Sequence, residues 1–133
     1  MIQTKGVAHI GLSVKNLDET IEFFTTVLKW EETWRDDAYP RSAVTDGNLF
    51  LTLWQVDHSK PVTEFDRRQN IGLHHLAIAI SSEDALNDLA TKIENHPGCK
   101  IEFMPEFLHD GPNKHMMFYE PGGIRLELYW AAA

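Results

Sequence analysis

Two segments of the chain alternate between apolar residues and small or polar ones, the period of two that is typical of half-buried β-strands. They are VAHIGLSV at residues 7–14 and LHHLAIAI at residues 73–80. Opposite the apolar face of each segment lies one histidine, His9 in the first and His75 in the second. The two histidines are 66 residues apart, and the same offset relates the helical segments that follow. The pattern indicates an internal repeat.

An amphipathic helix is predicted after each of these strands. The first helix begins at Asn16 or Asp18 and runs to about residue 30, with apolar side chains at helical spacing. The second follows Ser81 or Ser82 and ends at about residue 95. Further strands are predicted at about 31–37, 41–46, 49–56, 100–104, 113–119 and 124–130. The predicted fold is α+β and consists of two βαβββ modules.

A chain of 133 residues fits one compact domain. We therefore expect residues 1–133 to form a single domain, with a first module at 1–56, a charged connection at 57–72 and a second module at 73–133. Residues 104–113 contain two prolines and a glycine and are predicted to be irregular, long enough to cover a site as a lid. His109, in this segment, either reaches a substrate when the lid closes or is an ordinary surface histidine.

Three residues of metal-binding types fall on matching strand faces: His9, His75 and Glu127. In the last strand, Leu-Glu-Leu puts Glu127 on the face opposite the two leucines. Two imidazoles and one carboxylate form a facial ligand set that leaves positions open for a substrate. We therefore predict one divalent metal ion, with Fe, Mn, Zn and Ni not distinguished. In the first module the position equivalent to Glu127 holds Thr52, a poor metal ligand.

The chain resembles the vicinal-oxygen-chelate superfamily of glyoxalases, bleomycin-resistance proteins and extradiol dioxygenases. The resemblance is carried by residues 7–18, 23–24, 28, 75–78 and 118–128. It implies a curved eight-stranded mixed sheet built from paired modules, a homodimer, and a metal chelated by vicinal oxygens of a small-molecule substrate. It also implies that His9, His75 and Glu127 match the family's ligand positions.

Two departures from the family bear on the reaction. Thr52 stands where glyoxalase I enzymes carry a ligand glutamate, and Met117 stands where extradiol dioxygenases carry a tyrosine. The reaction type, dioxygenase against lyase or isomerase, therefore stays open.

Further side chains are predicted to lie on the same strand faces as the predicted ligands. His115 is a candidate general acid or base, or an exposed strand histidine. Thr52, Trp54, Met117 and Tyr129 are predicted to line the substrate pocket, although Trp54 could serve packing alone. His74 is expected to pack on the apolar side.

The composition limits the classes of partner that we expect the protein to bind. With 20 acidic and 12 basic side chains the net charge is −8, and no basic stripe indicates nucleic-acid binding. No apolar run approaches the roughly 20 residues that span a bilayer. The chain begins without a secretory-signal pattern, and the single cysteine suits a reducing compartment, so we expect a cytoplasmic protein. The alternative function is a metal-free, bleomycin-resistance-type protein that binds a cationic drug; the three ligand-type residues favour the enzyme.

Overall fold

The computed structural model of the chain describes residues 1–132. It divides into two compact units, Met1–Val62 and a second that begins at Thr63. Each unit contains one four-stranded sheet and its own helix. The α+β class and the two βαβββ modules are thus confirmed, and the eight predicted strands are present as two sheets of four. Within residues 1–132, the helices are all too short or too polar to cross a membrane.

The first unit contains β1 (Ile10–Val14), α1 (Leu17–Glu22), β2 (Glu31–Asp36), β3 (Arg41–Thr45) and β4 (Phe50–Gln55). The strand order is β1-β4-β3-β2, with β1 parallel to β4 and the other pairs antiparallel. Asn16 caps α1, because its side chain accepts a hydrogen bond from the backbone N–H of Glu19. The helix continues as a π-helical turn, Phe23–Val27. It ends before the predicted residue 30 because Lys29 adopts a φ of 61°, outside the helical region.

The second unit contains β5 (Leu76–Ala79), α2 (Glu83–Glu94), β6 (Lys100–Phe107), β7 (Lys114–Tyr119) and β8 (Arg125–Trp130). Its order, β5-β8-β7-β6, repeats that of the first sheet, again with one parallel pair. Ser82 is the N-cap of α2, and Leu86, Ala90 and Ile93 form its buried stripe.

Both parallel strands begin later than predicted. The β1–β4 ladder starts where Ile10 pairs with Leu51, and the β5–β8 ladder where Leu76 pairs with Leu126. The residues before these pairs lie outside both ladders. His9 and His75 are therefore the residues immediately before the strands, not within them as expected.

Strand β6 is longer than predicted, because it includes Pro105 and runs to Phe107. Pro105 is tolerated because β6 is an edge strand, where a missing N–H need not break a ladder, and the register shifts on either side of Phe103. Of the segment 104–113, residues 108–113 remain outside regular structure, and the backbone N–H of Leu108 donates to the carbonyl of Asn113 at 2.8 Å. The expected ten-residue loop is wrong.

In each unit, the apolar strand positions pack towards the helix. The buried set comprises Leu12, Val14, Leu51 and Leu53 in the first unit, and Leu76, Ile78, Met116, Phe118, Leu126 and Leu128 in the second. The side chains between them point to the other sheet face. That other face carries the predicted chemical groups.

Candidate functional site

The register of the second sheet brings four predicted site residues onto one face. Glu127 on β8 pairs with Met117 on β7, and Tyr129 pairs with His115. Directly paired residues lie side by side on the same face of a sheet. On its other side, Glu127 pairs with the small residue Ala77 of β5. The alternation of the sequence therefore placed these four residues correctly within the second module.

The Glu127 carboxylate lies between two imidazoles. Its Oε1 is 3.3 Å from Nε2 of His75, and its Oε2 is 2.5 Å from Nδ1 of His115. Glu127 is buried, at 7% exposure, and His115 is nearly so. The ring of His115 also packs against Phe103, with ring centroids 4.9 Å apart. Both carboxylate oxygens thus have a defined histidine neighbour.

The spacing of His75 and Glu127 suits a shared metal ion. Two donor atoms that each bind one ion at about 2.1 Å, at roughly a right angle, are about 3 Å apart. The 3.3 Å between His75 Nε2 and Glu127 Oε1 is close to that value. Nevertheless, within residues 1–132 no three or more His, Cys, Asp or Glu side chains are grouped so as to hold a metal ion. The second unit presents two converging donors, not a complete ligand set.

In the first unit, Thr52 occupies the place that Glu127 has in the second. Thr52 pairs with Gly11, two residues after His9, just as Glu127 pairs with Ala77, two residues after His75. His9 itself is exposed. The first module therefore repeats the histidine but lacks the carboxylate beside it.

The Thr52 hydroxyl supports an aromatic side chain. The indole Nε1–H of Trp54 donates to Thr52 Oγ1 at 2.9 Å. A Cβ at Gly11 would lie 3.1 Å from that oxygen and 3.5 Å from Trp54 Nε1. The absent side chain of Gly11 thus makes room for Thr52 and Trp54.

Trp54 also borders a cleft of about 520 Å³ in the first unit. Its lining consists of Ser13, Ala38, Tyr39, Pro40, Trp54, Gln55, Val56, Asp57 and His58. The rings of Tyr39 and Trp54 meet edge to face, 5.1 Å apart, and the Arg41 guanidinium lies 5.1 Å from the Trp54 ring. Trp54 therefore borders this cleft, and Thr52 supports Trp54 without lining the cleft. Their contact with a substrate stays a prediction.

A second polar cluster on the sheet of the second unit was missed at the sequence level. Arg125 is buried, and its Nε and Nη2 donate to the two oxygens of Glu102 at 3.0 and 2.7 Å. These hydrogen bonds hold the pKa of Glu102 below its usual range. The available signal was parity, because Arg125 is two residues before Glu127 and so shares its face.

His74 belongs to this cluster. Its Nδ1 lies 3.4 Å from Arg125 Nη1 and 2.8 Å from Nδ1 of His75. Desolvation, and then the charge of Arg125, lower the pKa of His74. The expected packing of His74 on the apolar side is wrong, because His74 precedes β5 and the alternation of that strand does not govern it.

The two βαβββ modules each have a histidine just before their first strand, and the last strand of the second module carries a carboxylate. These features define a glyoxalase-like class of α+β protein. Residues 6–128 match the Glyoxalase/Bleomycin resistance protein/Dioxygenase superfamily, and the chain belongs to that superfamily.

Similar proteins include a 2-epi-5-epi-valiolone epimerase from Actinomyces sp, 28% identical over an alignment covering 92% of this chain and 77% of that protein. A glyoxylase/bleomycin resistance protein/dioxygenase domain from Frankia sp. EAN1pec superposes with a TM-score of 0.81 at 25% identity, covering 97% of this chain and 93% of that chain.

A variant of the fosfomycin resistance protein FosX from Listeria monocytogenes, solved with Mn(II) and 1S,2S-dihydroxypropylphosphonic acid, superposes with a TM-score of 0.75 at 21% identity. The match covers 99% of this chain and 95% of that chain. At this identity, the likeness concerns the fold.

Proposed function

We propose that this protein is a divalent-metal-dependent enzyme whose small substrate chelates the ion through two neighbouring oxygens. The observation that carries the proposal is the 3.3 Å approach of His75 Nε2 to Glu127 Oε1, beside the small residue Ala77. Membership of the superfamily, the similarity to an epimerase and the Mn(II) complex of a FosX protein support it.

The proposed ligands are His9, His75 and Glu127. His75 and Glu127 belong to the second unit, and His9 is included because it holds the repeat position equivalent to His75. His9 comes either from the same chain or from a second copy in the expected homodimer. When bound, the ion would polarise the substrate oxygens as a Lewis acid.

His115 is proposed as the proton carrier. Its Nδ1 is next to the Glu127 carboxylate, which can only accept a hydrogen bond when ionised, so Nδ1 carries the proton. When the ring is neutral, Nε2 is the unprotonated nitrogen and can take a proton from a substrate carbon or oxygen. Glu127 thereby orients the ring of the base. This arrangement favours an epimerase- or isomerase-type proton transfer over ring cleavage.

Met117 and Tyr129 flank these groups and are proposed to contact the substrate. Met117 pairs with Glu127 and Tyr129 with His115. The Tyr129 hydroxyl accepts a hydrogen bond from Asn113 Nδ2 at 2.9 Å, which holds it in place. Trp54, supported by Thr52, is the proposed substrate-binding residue of the first unit.

Metal binding tests the ligand assignment. Metal-free protein titrated with Mn(II) in a calorimeter should bind one ion per chain. His9→Ala, His75→Ala and Glu127→Ala should each weaken binding by at least about tenfold, since losing even a supporting group of a metal site costs about 10–100-fold. His96→Ala, a histidine just after α2, is the matched control and should bind as the wild type does. Unchanged affinity in all three variants would overturn the proposal, and binding of a cationic drug without metal would favour the alternative.

Solvent exchange tests the proton transfer. The wild-type enzyme with its metal should exchange the hydrogen next to the carbonyl of hydroxyketone substrates in D₂O, followed by proton NMR. At saturating Mn(II), His115→Gln should lose this exchange by about 100-fold or more, the usual contribution of a general base. Saturation is needed because His115 also supports the proposed ligand Glu127. Oxygen uptake with catechols, without any exchange, would instead indicate a dioxygenase.

A further inference from the structure

A positively charged cluster around Arg125 and Arg67 lies next to Glu127 on the same sheet face, with Arg125 two residues before Glu127 along β8. Arg125 pairs with Tyr119 of β7, in the row next to the pair formed by Glu127 and Met117. Two residues along a strand span about 7 Å. The cluster is therefore within reach of a small molecule whose other end lies at Glu127.

Two guanidinium groups in this cluster face a single carboxylate. Arg125 occupies both oxygens of Glu102, whereas Arg67 is 3.8 Å from the nearer of them. Arg67 Nη1 also donates to the Tyr119 hydroxyl at 3.2 Å. This hydroxyl is neutral and does not compensate the charge of Arg67. The remaining titratable neighbour, His74, is an imidazole and supplies no negative charge in either protonation state. Among these groups, one positive charge is left over.

Arg67 is presented by a hydrogen-bonded turn, not by a loose connection. The backbone N–H of Asp66 donates to the Asn70 side chain at 2.7 Å, and the N–H of Asn70 donates back to the Asp66 carbonyl at 2.8 Å. The Asp66 side chain also accepts from the N–H of Arg68 at 2.9 Å. These bonds hold the backbone on both sides of Arg67. With 27% of its side chain exposed, Arg67 is accessible to a ligand.

We propose that Arg67 and Tyr119, with Arg125 behind them, bind an oxyanion group of the substrate, a carboxylate, phosphate or phosphonate. A guanidinium and a hydroxyl together supply directed donors to such oxygens. Glu102 orients Arg125 and keeps it in place, and Arg67 provides the charge that is left for the ligand. That this subsite lies beside the chelating oxygens of the substrate rests on the proposed function. The existence of the subsite does not depend on it.

Metal-free protein titrated with inorganic phosphate tests the subsite, with the arginine Nε–H signals followed by NMR. The wild type should bind saturably, with the Arg67 signal shifting. Arg67→Ala should weaken binding by about tenfold, as expected from the loss of one charge-assisted hydrogen bond. Tyr119→Phe, which keeps the ring, should weaken it several-fold. Arg68→Ala, on the same turn, is the matched control and should change affinity by less than about twofold.

The outcomes separate this inference from the proposed function. Because the protein carries a net charge of −8, general attraction does not favour an anion. Equal weakening in Arg68→Ala and Arg67→Ala, or no saturable phosphate binding by the wild type, would overturn the subsite. Mn(II) titration of Arg67→Ala should match the wild type, so the metal site is tested separately. A parallel titration with acetate shows whether the subsite takes carboxylates as well as phosphates.

Discussion

Replacing Glu102 with glutamine should destabilise the second unit substantially. Glu102 holds Arg125 through two hydrogen bonds, and only 6% of the Arg125 side chain is exposed. Removing one partner of a fully buried pair costs about 3–5 kcal/mol, because the other charge stays buried and uncompensated. Glu102 itself is 28% exposed, so water replaces part of the lost contact. We therefore expect a loss of about 2–3 kcal/mol in the free energy of unfolding.

This loss corresponds to a measurable change in melting temperature. The entropy of unfolding is about 2.1 cal/mol/K per residue, or about 0.28 kcal/mol/K for 133 residues. A loss of about 2–3 kcal/mol should therefore lower Tm by roughly 7–11 °C. Thermal unfolding followed by circular dichroism measures this change in Tm.

The effect should depend on pH with a defined sign. The folded-state pKa of Glu102 lies below the ordinary 4.5. The ion pair therefore stabilises fully above that value and is lost as the pH falls through the folded pKa. The Tm difference between wild type and Glu102→Gln should be constant near neutral pH and should disappear at acidic pH.

Glu106→Gln is the matched control, since Glu106 is on the same strand with 58% of its side chain exposed. It should change stability by no more than about 0.5 kcal/mol. If Glu102→Gln melts within about a degree of Glu106→Gln at neutral pH, the reasoning about the buried ion pair is refuted.

Three further predictions concern other parts of the chain. Gly11→Ala should destabilise by about 1–3 kcal/mol and shift tryptophan emission, because the new Cβ would crowd Thr52 Oγ1 at 3.1 Å; unchanged emission would contradict this. Ser82→Ala should lower stability by about 1 kcal/mol in urea unfolding through loss of the α2 cap, whereas Ser81→Ala should not. Burial raises the pKa of Cys99 to about 12, so iodoacetamide at pH 8 should label it at least about 100-fold more slowly in native than in unfolded protein; equal rates would count against this burial.

The sequence by itself determined the elements, their order and the shared face of the candidate residues within strands β7 and β8. Alternation in the strands and the caps at Asn16 and Ser82 are local features, readable over a few residues. The same alternation placed Glu127 opposite the core and identified Thr52 as its counterpart, and the strand register agrees. That His9, His75 and Glu127 share a metal ion stays a prediction.

Tertiary structure alone decided where the ladders begin and which polar groups meet. His115 contacts Glu127, Arg125 contacts Glu102 and Arg67 contacts Tyr119 across 12, 23 and 52 residues of sequence, respectively. Such pairs depend on strand register, on the bulges of an edge strand and on the path of a turn, none of which leaves a periodic signal. The reason is physical: hydrophobic burial imposes a period on each element, whereas a hydrogen bond or an ion pair depends on which side chain lies across from it in the folded chain.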